Sequence, residues 1–158
     1  MRIRTFVVSA LACVSVVVLA ASAVAQSDPI VGTWKTNVAK SKYSPGPAPK
    51  SATLVITAEG GGYKVVSDTV PATGAATHTE NTWSFDGKDH PVKGNPNVDT
   101  SSYAKVDART YTVTSKKAGK VAVTIRVVIS ADGKTRTTTQ TGTTADGKPL
   151  NNTIVAEK

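Results

Sequence analysis

His78, Glu80 and His90 are the side chains best suited to metal or acid–base chemistry. In an extended segment His78 and Glu80 share a face, with Cα atoms roughly 7 Å apart. Such a pair could hold a metal or pass a proton if a further ligand converged on it. His90 is the obvious further ligand, but the intervening Asp86-Gly87-Lys88 reads as a hairpin turn that sets His90 opposite Ser84 or close to it. The six residues of strand between Ser84 and His78 span on the order of 20 Å. The two histidines then cannot share a metal, and a solvated polar face is expected, with no metal site.

Nucleophilic chemistry is equally poorly served. Cys13 is the only cysteine, no Gly-x-Ser-x-Gly elbow occurs, and no serine stands with a histidine and an acid at suggestive positions. Gly60-Gly61-Gly62 lies between two strand patterns rather than opening a helix, so it is a turn and not a phosphate loop. No catalytic residue and no cofactor is assigned, and an enzyme is not expected.

Residues 1–25 carry Arg2 and Arg4, an uncharged apolar run from Phe6 to Ala20, and then Ala21-Ser22-Ala23-Val24-Ala25. These are the three parts of a secretory signal peptide, and the apolar run is shorter than the roughly 20 residues that span a bilayer as a helix. Cleavage after Ala25 would start the mature chain at Gln26, leaving no stable membrane insertion. Cys13 sits too deep in the apolar run for a lipidation site, so the mature chain would hold no sulfur: no disulfide and no soft metal ligand. The expected location is secreted or periplasmic.

Residues 26–158 form one expected domain carrying 17 Lys and Arg against 11 Asp and Glu, a net charge of +6. Of these cations 14 are lysines, dispersed from Lys35 to Lys158. Specific readers of nucleic acid favour the arginine fork, so no specific nucleic-acid partner is expected. Weak contact with anionic envelope polymers is the sharper reading of the excess.

These residues also hold 22 Thr and 15 Val but only two Leu, the composition of strands. Period-2 segments predict strands near 31–37, 52–59, 63–69, 78–85, 89–93, 101–107, 109–116, 120–130, 134–142 and 150–157, joined by glycine-containing turns. No helix is long enough to cross over, so the strands form an antiparallel meander. Closure into a barrel of about 8–10 strands removes the exposed edges; a β-sandwich is the alternative. Asn37–Lys42 fits one helical turn, and Ser41–Ser51, with Pro45, Pro47 and Pro49, an ordered or semi-ordered loop. Val121, Val123, Ile125, Val127 and Ile129 share one face and should be core. The Thr row 135, 137, 139 and 141 points to a strand whose interior side is only mildly apolar, hence to a small or polar cavity.

Gly32-Thr33-Trp34, followed by Lys35-Thr36-Asn37 and continuing to Tyr43, resembles the Gly-x-Trp opening of lipocalins and the wider calycin group, and is similar to small secreted bacterial proteins described as lipocalin-like. The resemblance implies that Trp34 plugs the closed end of a barrel with a cation stacked on it, Arg126 or Arg136 being candidates, and that a small hydrophobic or amphipathic ligand enters from the other end. Alternation then nominates Val65, Trp83, Phe85, Tyr111, Val113, Ile125 and Val127 as the lining. A barrel filled by its own side chains, acting as a structural or surface-interaction module, is the other reading. An internal cavity of roughly 300 Å³ or more separates the two.

Overall fold

A computed structural model describes residues 28–158. The expected signal peptide, Cys13 and the expected Gln26 start lie outside the described residues.

The chain alternates strand and turn through β1 (Gly32–Thr36), β2 (Ser51–Glu59), β3 (Gly62–Val70), β4 (Thr77–Trp83), β5 (His90–Pro91), β6 (Thr100–Lys105), β7 (Thr110–Lys117), β8 (Lys120–Ile129), β9 (Thr135–Thr143) and β10 (Pro149–Glu157). All pairings are antiparallel, in the order β4-β3-β2-β1-β10-β9-β8-β7-β6-β5. The first strand thus joins the last. The sheet's free edges, β4 and β5, approach across a seam where Glu80 and Lys93 exchange two backbone hydrogen bonds of 3.2 and 2.9 Å. The result is the expected meander, rolled into a nearly closed barrel.

A single 3-10 turn, Val38–Lys40, follows β1, capped by the Asn37 side chain. The proline-rich loop after it is pinned to β10: Lys42 bridges Thr153, and the Ser44 N–H donates to Asn152 Oδ1 at 2.9 Å. Geometry requires glycine at Gly94 and Gly32, among other positions. Gly94, at φ +80°, passes so close to the His78 carbonyl that a Cβ would overlap it, so the seam requires glycine there. Gly32, at φ +141°, lies against the Lys158 stem, where a Cβ would fall 2.9 Å from Cε.

Lys158 also settles which cation covers Trp34. Its Nζ lies 4.5 Å from the ring centroid and donates to the Pro29 carbonyl at 3.1 Å. Neither Arg126 nor Arg136 takes that place. Arg126 is exposed, and Arg136 points into the barrel toward Tyr111 and Thr138. Trp34 itself has no accessible surface, and its Nε1–H donates to the Ile30 carbonyl at 3.0 Å.

One expected core position is also corrected. On β8, Ser115 faces Val123 but Lys116 faces Val121, so Ala122 is an extra residue in the strand. This bulge reverses the alternation beyond it: Ala122 and Val123 both face the lumen, while Val121 is 60% exposed. Val127 and Ile129, on the regular side of the bulge, are fully buried.

Candidate functional site

The barrel encloses a cavity of about 810 Å³. Its walls reach the loops around Asn95–Val98 and Thr144–Ala145 at one end and touch none of the turns at the other, so it is closed below and accessible above. The closed end is built from aromatic side chains. Trp83, at the end of β4, is stacked between Tyr103 (centroids 4.0 Å apart, planes 7° apart) and Tyr63 (4.5 Å, 29°). Phe85 meets Tyr63, Trp83 and Tyr111 edge-on. Offset and edge-to-face contacts of this kind add stability beyond their buried area and make a rigid floor.

Five of the seven nominated lining residues border the cavity: Val65, Trp83, Tyr111, Val113 and Ile125. Two do not. Phe85 follows the end of β4 and packs into the aromatic floor, and Val127 lies below the lumen among the fully buried core side chains. Alternation assigns each the correct face but not its depth along the barrel axis. Trp34, nominated as the closed-end plug, is fully buried and also borders the cavity.

Several polar wall residues went unforeseen. The inner side of β9 presents Arg136, Thr138 and Gln140, which leaves the row Thr135, Thr137, Thr139 and Thr141 on the outer face. The lumen is therefore polar on that wall, as expected, but not small. Opposite lie Asn81, whose Nδ2 donates to the Tyr103 hydroxyl at 2.7 Å, and the buried pair Ser101 and Ser115, hydroxyl to hydroxyl at 2.9 Å. Burial pushes the Tyr103 phenol up to about 12, against the opposing effect of Asn81. Burial, and then the hydrogen bond to Asp28, raise the Tyr63 phenol as well. Both phenols stay protonated and can donate.

The charges lining the lumen are of one sign. Lys117 stands at the mouth, paired with Asp99 at 2.7 Å. Arg136 lies deeper, giving Nη1–H to Thr138 Oγ1 at 2.8 Å and Nη2–H to the Tyr111 hydroxyl at 3.2 Å. No Asp or Glu borders the cavity.

His78 and His90 end on different strands and neither enters the lumen. His78, 60% exposed, pairs across β3 and β4 with Asp68 (Nδ1 to Oδ1, 2.6 Å), and the hydrogen bond to that carboxylate raises its pKa above 6.5. Its strand neighbour Glu80 reaches Lys64 at 3.6 Å. His90 pairs with Ser101 on β6 and contacts Asp86 at 2.8 Å, which holds the Asp86 carboxyl down at about 2. Among the described residues no group of three or more His, Cys, Asp or Glu is placed to hold a metal.

No family model, curated protein or solved structure matches the chain.

Proposed function

We propose that this protein is an exported, non-enzymatic, lipocalin-like carrier that binds a small hydrophobic or amphipathic molecule inside its barrel. The cavity carries the reading. About 810 Å³ falls within the roughly 300–1,000 Å³ of ordinary small-molecule sites, and a barrel filled by its own side chains would leave no such space. The lining joins aromatic and aliphatic side chains to polar ones, an apolar surface for the body of a ligand and groups that can orient it. Export rests on the pattern of residues 1–25, and the lipocalin likeness on Gly32-Thr33-Trp34 together with a lysine stacked on that tryptophan.

Binding is tested by titrating the purified protein with the neutral apolar fluorophore N-phenyl-naphthylamine. A saturable rise in probe emission, with quenching of Trp83, is expected, and Ile125→Trp, which fills the lumen, should remove both. Native mass spectrometry of protein taken from its own compartment should show a co-purifying small molecule. Non-saturable uptake that is indifferent to Ile125→Trp would overturn the reading.

A further inference from the structure

The lumen holds a cation with no counter-ion. Arg136 joins none of the ion pairs among the described residues, and residues 1–27 contain no Asp or Glu. Its two hydrogen-bond partners, Tyr111 and Thr138, are neutral hydroxyls. A guanidinium cannot shed its proton to escape desolvation, so a charge held inside the barrel with no carboxylate bordering the cavity calls for an anion.

A second observation points the same way. The buried side-chain polar atoms left without a partner among the described residues are Trp83 Nε1 and Arg136 Nε. Both are donors, and both belong to side chains that border the cavity. The made bonds also leave donors over. Tyr111 and Thr138 spend a lone pair on Arg136 and keep their own O–H, while Tyr103 accepts from Asn81 and keeps its own. The deep part of the cavity is rich in donors and contains no carboxylate.

We infer that the occupant of the cavity is an amphipathic monoanion, of the carboxylic-acid class, that enters head first and seats its carboxylate on Arg136 with the Tyr111 and Thr138 hydroxyls. This rests on the ligand-binding reading and adds the ligand's charge and orientation. A single charge is specified because the other cation in the wall, Lys117, is at the mouth and already paired with Asp99; a dianionic head would bring a second charge with nothing to meet it. A planar carboxylate also matches the geometry of a guanidinium. The apolar tail then lies along Val113, Val123 and Ile125 toward Leu150 and the mouth.

Dodecanoate and dodecanol share a tail and differ in the head. Displacement of N-phenyl-naphthylamine at neutral pH by each, from the wild type and from Arg136→Gln, measures the site directly. Wild type should bind the acid about tenfold or more tighter than the alcohol, as a charge-assisted hydrogen bond implies. Arg136→Gln should lose that preference while holding the alcohol as before, and Arg136→Lys, which keeps the charge, should retain most of it. If Arg136→Gln does not fold, the wild-type preference and Arg136→Lys decide. Equal binding of acid and alcohol to the wild type would overturn the anion seat while leaving the cavity a binding site; failure of the fluorophore, acid and alcohol alike to bind would overturn both.

Discussion

Replacing Trp34 with alanine tests whether the closed end is a structural plug. The ring has no accessible surface, so the change removes a whole buried aromatic, a loss of about 3–5 kcal/mol. The Nε1–H bond to the Ile30 carbonyl adds about 1 kcal/mol, because Ile30 is itself buried and its carbonyl loses a partner. Loss of the Lys158 ammonium over the ring adds about 0.5–1 kcal/mol. The sum, about 4.5–7 kcal/mol, is a large share of the roughly 5–15 kcal/mol that keeps a domain folded. With a urea slope of about 2 kcal/mol per molar, the unfolding midpoint should fall by about 2–3.5 M. Trp34→Phe, which keeps most of the ring but loses the hydrogen bond, should cost about 1–2 kcal/mol, and Lys158→Met less than about 1 kcal/mol. Trp34 also borders the cavity, and phenylalanine keeps an aromatic ring there, so Trp34→Phe should still bind N-phenyl-naphthylamine. An alanine variant within about 1 kcal/mol of the wild type would refute the plug.

Two further perturbations address local structure. Ala118 sits at φ +48° in the two-residue turn between Lys117 and Lys120, a conformation that costs a residue with a Cβ about 1 kcal/mol; Ala118→Asn should raise stability by about 0.5–1 kcal/mol and Ala118→Val should lower it, and equal melting temperatures for the two would refute the strain. The Asp68 carboxylate raises the pKa of His78, so the stabilisation from this exposed pair is fully present below 6.5 and disappears as pH rises through the raised folded-state value. Proton NMR titration should find His78 back near 6.5 in Asp68→Asn, and an unchanged titration would show that the pair does not persist in solution.

The barrel was legible because its turns are chemically explicit and its strands are short and alternating. Gly60-Gly61, Asp132-Gly133 and Asp146-Gly147 each place a positive-φ residue where a hairpin needs one, and ten strands follow from the spacing between such points. The failures share a cause, namely that alternation gives a side chain's face and nothing else. It sent Val121 inward because a bulge at Ala122 leaves no mark in the residue types around it. It could not distinguish Val127, below the floor, from Ile125, above it, since both point inward on one strand. Trp34's cation was sought among arginines, whereas Lys158 reaches it from just past the end of β10. Arg136 was hidden most completely. Thr135-Arg136-Thr137-Thr138-Thr139-Gln140 is polar on both faces, so the pattern offers no contrast from which an inward direction could be read. Direction there comes from the neighbours: β8 and β10 flank β9 and impose their own apolar-inward register on it through Ile129 and Ala156, which both oppose Arg136. The sheet thus carries a guanidinium into the lumen that the strand's own residues do not select, and only the paired register reveals it.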